Sequence, residues 1–279
     1  MDLLQVISVI VLAILPAFVW SYIFLGKSDE CRSTLLKVFF WGGLATLPLL
    51  LYRMSWQFFP SLNFIANIKE QTSETTIMLG DGINFPIAHL LIFMTIGMIE
   101  EILKAFVINK SVPKKQINSI ADAVEYSIAG SLGFAFVENI FYLGEVYTII
   151  GSSAIIAMFV SRAVFATFAH VLFSAIFGYY HGIGLFAKEN IKDLETVGDT
   201  ASLEQRMGFR VPYLWKVRIF RIEELLVGLC YAGALHAFYN IFLEMGYNLF
   251  LIPFLVFGTM FVSRLLKRES VRAVANFGN

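Results

Sequence analysis

Seven apolar runs, at about residues 4–26, 36–54, 86–108, 122–145, 162–187, 223–245 and 248–266, constrain this chain more than any other feature. A helix needs roughly 20 apolar residues to cross a bilayer, and each run is close to that length. Composition agrees. Of the 279 residues 58% are hydrophobic and 15% charged, against about 45–50% and about 25% in ordinary soluble domains. The reading is an all-α, polytopic transmembrane helical bundle of about seven spans, one membrane-embedded domain over residues 1–279. The net charge of zero gives no reason to expect a nucleic-acid partner. MDLLQ lacks a basic n-region, so the first run is expected to be a membrane helix and not a cleaved signal peptide. Cys31 stands in a short polar loop and Cys230 in an apolar run, a poor pairing for a disulfide.

Lys and Arg fall on alternate loops. Lys27 and Arg32 follow the first run, and Lys110, Lys114 and Lys115 follow the third. Residues 188–222 carry seven basic side chains, among them Arg218 and Arg221, and Arg264, Lys267, Arg268 and Arg272 lie in the tail. Residues 55–85 hold one lysine among Glu70, Glu74 and Asp81, and residues 146–161 are uncharged. The positive-inside rule then sets the N-terminus outside and the C-terminus in the cytoplasm. In 209–222, Tyr213, Trp215 and Phe220 alternate with basic residues, as in an interfacial loop whose first task is to set orientation.

Several polar residues stand where a bilayer would exclude them. The third run contains Glu100, Glu101 and Lys104, which together oppose insertion by about 8–10 kcal/mol if all are charged. Lys104 follows the two glutamates by four and three residues, so the three share a helix face. A carboxylate desolvated beside another carboxylate is one way to bring a general base near neutral pH. The fourth run adds Glu138 and Asn139, the fifth His170, and the sixth His236 and Asn240, which lie four apart on one face. Polar residues on four consecutive spans point to a shared interior site, about residues 86–245.

Helix rise removes other candidates. His181 lies about 16 Å from His170, and Glu125 about 20 Å from Glu138. The first is expected at the interface and the second near a loop. His89 stands at the outer end of its span without an evident partner, and Arg162 opens the fifth span as a snorkelling residue.

Four motifs run in order along the chain: EExxK at Glu100, Glu101 and Lys104; FxxxEN at Phe134, Glu138 and Asn139; HxxFSxxxG at His170, Phe173, Ser174 and Gly178; and HxxxN at His236 and Asn240. Together they resemble the PrsW family of bacterial intramembrane proteases, related to the type II CAAX prenyl endopeptidases. The resemblance implies an enzyme of the bacterial inner membrane that hydrolyses a peptide bond of a single-span, anti-sigma-factor-like substrate. It also implies that Glu100 and Glu101 are essential. The CAAX relatives offer a histidine where this chain has Glu138, so the water-activating pair is either two glutamates or a glutamate with His170.

The mechanism expected first needs no cofactor. Glu100 or Glu101 acts as general base on a water that Glu138 helps to orient, His236 and Asn240 stabilise the oxyanion, and His170 holds the water or protonates the leaving amine. Lys104 fixes one carboxylate, Asn139 supports the site, and Ser174 is a small packing residue. A zinc site from His170, His236, Glu101 and Glu138 ranks second, since its ligands come from separate helices without an HExxH motif. A proton- or cation-coupled transporter is the alternative of another class, because intramembrane Glu and His also mark ion pathways. No repeated half supports it.

Overall fold

The computed structural model describes residues 2–72, 75–78, 84–149, 159–188, 190, 212–246 and 248–277. Long helices dominate, as they must where no solvent satisfies the backbone. They are α1 (Leu3–Leu25), α2 (Arg32–Leu44), α5 (Ile87–Ser111), α6 (Ile120–Ile149), α7 (Phe165–Leu185), α8 (Tyr213–Glu244) and α9 (Leu251–Phe277). Two short helices, α3 (Leu47–Ser55) and α4 (Phe64–Thr72), precede a small hairpin, β1 (Thr76–Met78) with β2 (Asn84–Pro86). The hairpin is antiparallel with Ile77 opposite Phe85. This hairpin is an addition to an otherwise all-helical expectation.

Among the described residues five segments are long and apolar enough to cross a membrane: Leu3–Leu25, Arg32–Ser55, Ile120–Ile149, Phe165–Leu185 and Tyr213–Glu244. The two remaining expected spans are the helices α5 and α9. Glu100, Glu101, Lys104 and Lys110 make α5 too charged to qualify on composition, and α9 carries the basic tail. Two boundaries differ from the sequence reading. The run at 36–54 is broken between α2 and α3, where Thr46 Oγ1 donates to the carbonyl of Gly43 and Pro48 starts a new helix. The basic-aromatic residues from Tyr213 onward are the first turns of α8, continuous with the apolar run after them. Residues 191–211 of the expected interfacial loop lie outside the described residues.

The hub is the pair α6 and α7, each with 72% of its apolar window buried, against 28–33% for the other three qualifying segments. α1 and α2 pack on α6, and α8 packs on α7 and carries α5 against it. Phe168 of α7 packs tilted against Trp20 of α1 with ring centroids 4.8 Å apart. The α2–α6 approach requires glycine: a Cβ on Gly133 would sit 1.8 Å from the carbonyl oxygen of Phe39, and one on Gly42 1.9 Å from that of Gly130. Close small-residue contacts of this kind are how membrane helices gain dispersion energy without a hydrophobic drive.

Candidate active site

The crossing of α5, α6, α7 and α8 collects the polar residues singled out in the sequence. Glu100 is the fourteenth residue of the 25-residue α5, so it stands mid-helix, away from both ends. Glu101, Lys104, His170 and His236 are all buried with it. Helical spacing places Glu101 and Lys104 within reach of each other, and the Lys104 ammonium donates to Glu101 Oε1 at 2.6 Å.

Lys104 Nζ also lies 2.6 Å from His170 Nδ1 and 4.7 Å from the centre of the Phe134 ring. His170 Nε2 in turn lies 2.8 Å from Glu138 Oε2. An ammonium has only donors, so Nδ1 of His170 accepts, and its Nε2–H then donates to Glu138. The result is one chain of bonds from Glu101 through Lys104 and His170 to Glu138, spanning three helices. Proton positions here follow from the partners of each atom.

His236 meets the same chain at Glu101. Its Nδ1 lies 3.0 Å from Glu101 Oε1, an acceptor, so Nδ1 carries the hydrogen. Nε2 is then an acceptor, and it faces Glu100 Oε2 at 3.5 Å. Glu100 Oε2 is buried with no hydrogen-bond partner among the described residues. Two acceptors facing each other in a dry interior need a proton or a cation between them. Ligand atoms of Glu100, His170 and His236 lie within 4.8 Å of one another. These three residues fit a divalent metal in residue type, burial and spacing.

This set differs from the zinc ligands expected from the sequence. Glu100 stands in the cluster where the sequence reading put Glu101, because Glu101 Oε1 is already occupied by Lys104 and His236. Glu138 is bonded to His170 and is not one of the three clustered residues. Phe173 stacks on His236 with centroids 5.0 Å apart, and the His170 and His236 rings meet edge to face at 5.1 Å. The sequence had marked Phe134 and Phe173 as motif positions only; they prove to be the apolar walls that hold Lys104 and His236.

Other residues fall outside the cluster. Asn139 Nδ2 donates to Thr167 Oγ1 at 2.9 Å and ties α6 to α7. Asn240, one turn beyond His236, is half-buried. Ser174 is buried as a packing residue would be, yet its Oγ has no hydrogen-bond partner among the described residues. His181 is buried and stacks on Phe177 at 5.5 Å, which corrects its expected interfacial place. His89 faces Glu244 of α8 at 3.9 Å, so it has the partner that the sequence did not reveal. Glu125 accepts from Ser28 at the end of the bundle with the basic loops. The side chain of Arg162 lies outside the described residues. Both cysteines are free.

Comparison with known proteins bears on this arrangement. No solved structure matches the chain. Protease PrsW of Oceanobacillus iheyensis is 25% identical over 278 residues, 97% of this chain and all of that protein. Protease PrsW of Clostridioides difficile is 28% identical over 62% of this chain and 65% of its own length. Protease PrsW of Geobacillus kaustophilus is 36% identical over 34% of this chain and 39% of its own. Residues 30–198, which include every site residue except His236 and Asn240, match the family described as PrsW family intramembrane metalloprotease. The chain is thus a multi-pass bacterial membrane protein that belongs to the PrsW family of intramembrane proteases.

Proposed function

We propose that this protease uses a divalent ion held by Glu100, His170 and His236 to cut a peptide bond within a single-span membrane protein of the anti-sigma-factor kind. The observation that carries the reading is the unpartnered Glu100 Oε2 facing the acceptor Nε2 of His236 at 3.5 Å, with His170 in reach. A bound ion of the zinc class supplies Lewis-acid activation of water and of the scissile carbonyl. Glu101 accepts from His236 Nδ1 and so fixes the ring with Nε2 toward Glu100. Glu138 receives the proton of the attacking water and returns it to the leaving amine. Asn240 donates to the developing oxyanion from the turn after His236. Family membership favours hydrolysis over the transport that intramembrane Glu and His could otherwise serve.

A second reading has one observation in its favour. Lys104 donating to His170 Nδ1 puts a hydrogen on Nε2, which suits His170 as the donor to Glu138 better than as a ligand. In that case Glu100 and Glu138 activate the water without metal, one form of the mechanism expected first from the sequence, where Glu100 or Glu101 is the base.

The test is cleavage of a single-span substrate in proteoliposomes, with metal content measured on the same protein. The metal reading expects about one ion per chain, loss of that ion in Glu100→Gln and His236→Ala, and chelator-sensitive cleavage restored by zinc. Full cleavage by metal-free protein would favour the carboxylate pair. Cleavage that survives Glu100→Ala, Glu101→Ala and His236→Ala together would remove this site from the reaction.

A further inference from the structure

Glu138 is the exposed end of the buried chain of bonds. Side-chain exposure is 8% or less at Glu100, Glu101, Lys104, His170 and His236, but 30% at Glu138. Among these residues Glu138 is the one most open to an approaching substrate. On α6, Phe141 and Glu145 follow Glu138 by three and seven residues, so all three share a face. Phe141 and Glu145 form one wall of a groove of about 580 Å3, and Leu50, Met54 and Trp56 help form the other.

Three features set this groove apart from an ordinary lipid-facing seam. No residue of α3 is buried, and the helix begins at the break by Thr46. Its tie to α6 is the exposed pair Arg53–Glu145, with Arg53 Nη2 2.7 Å from one carboxylate oxygen and 3.0 Å from the other. The indole Nε1 of Trp56 is buried with no hydrogen-bond partner among the described residues. A buried donor left unbonded in an apolar wall is costly unless something brings it an acceptor.

We infer that the groove between α3 and α6 holds the substrate's membrane segment beside the scissile bond, with Trp56 donating to a main-chain carbonyl of a locally unwound stretch. This rests on the intramembrane protease reading above. The groove also sets specificity. From Glu138 to Glu145 is about 10 Å along α6, the reach of about three extended residues. Phe141 is about 4.5 Å from Glu138 along α6, so a bulky apolar substrate side chain one or two residues from the cut, on the side toward the β1–β2 hairpin, would fill the space beside Phe141.

The experiment uses the full chain in bilayers. The probe is a single-span polypeptide with a leucine-rich membrane segment, a central Gly-Ala-Ser stretch and a phenylalanine on the hairpin side of it. A photo-crosslinking amino acid is placed at Met54, at Phe141 or at the exposed Phe257 of α9, in a Glu100→Gln background that leaves the probe uncut. Crosslinks from 54 and 141 but not 257 support the groove. So does a KM raised about tenfold in Trp56→Phe with kcat kept, the effect of about one lost hydrogen bond. Cleavage by the wild type without crosslinks from 54 or 141, and with KM unmoved, overturns the groove and leaves the protease reading standing. Crosslinks from 54 and 141 without cleavage by the wild type uphold the groove as a binding surface and count against the protease reading for this class of substrate.

Discussion

Replacing Lys104 by methionine probes how the buried chain of charges is held. Lys104 Nζ lies 2.6 Å from Glu101 Oε1, 2.6 Å from His170 Nδ1 and 4.7 Å from the Phe134 ring centre. In a water-soluble protein, removing one partner of a buried ion pair costs about 3–5 kcal/mol. The reference state here is different. Glu101 and Lys104 stand three apart on one helix, so their pair survives when the helices separate within the bilayer. Assembly adds only the bond to His170 and the contact with Phe134. Interhelical hydrogen bonds in membrane proteins average about 0.6 kcal/mol and reach about 1.7, and a desolvated cation over a ring contributes about 2 kcal/mol. Lys104→Met should therefore cost about 2.5–3.5 kcal/mol, toward the low end of the soluble figure. The assay is reversible unfolding in bicelles, read as double-mutant cycles. The Lys104/His170 cycle should give a coupling of about 1 kcal/mol, and the Lys104/Glu101 cycle less than about 0.5 kcal/mol. A larger coupling for Lys104/Glu101 than for Lys104/His170 would refute the reasoning.

Three further outcomes can be checked with the same protein. Gly133→Ala puts a Cβ 1.8 Å from a backbone oxygen of α2, which cannot yield alone, and should cost about 1–3 kcal/mol or more in the same unfolding assay. Gly130→Ala, three residues earlier, meets the side chains of Ile108 at 3.4 Å and Val38 at 3.5 Å and should be within about 1 kcal/mol of wild type. Asn139→Leu loses the bond to Thr167, costing about 0.6–1.7 kcal/mol, with cleavage kept because the residue lies off the catalytic chain. Glu30, in the loop between α1 and α2, has its pKa raised by burial despite a hydrogen bond from Tyr126. The folded state then binds that proton more tightly than the unfolded one, so stability from this group is present at acid pH and lost as pH rises through the raised folded value. Thermal melts should show a decline above the ordinary carboxylate range that is shallower in Glu30→Gln.

Two physical signals made most of the fold and site legible in the sequence, and their limits explain the rest. Uninterrupted apolar length located the long helices because bilayer thickness imposes it. It could not show that Thr46 and Pro48 break one run into α2 and α3, since a break inside an apolar stretch leaves hydropathy unchanged. The insertion cost of buried charge located Glu100, Glu101, Lys104, Glu138, His170 and His236, because nothing but a shared interior justifies it. That cost is identical for two adjacent glutamates, so it could not assign their roles. The roles follow from rotation about the α5 axis: one residue is a turn of 100°, enough to aim Glu101 at Lys104 and His236 and to leave Glu100 facing His236 Nε2 unpartnered. Helix rise separated His181 from His170 along the axis but did not reveal its packing on Phe177, because distance along an axis says nothing of what packs beside it. Depth was thus encoded in each segment by itself, while azimuth and partner were encoded only in how α5, α6, α7 and α8 meet. The choice between metal and carboxylate chemistry turns on the second kind of information, on whether the hydrogen on His170 Nε2 stays, held there by Lys104, or gives way to a cation shared with Glu100 and His236.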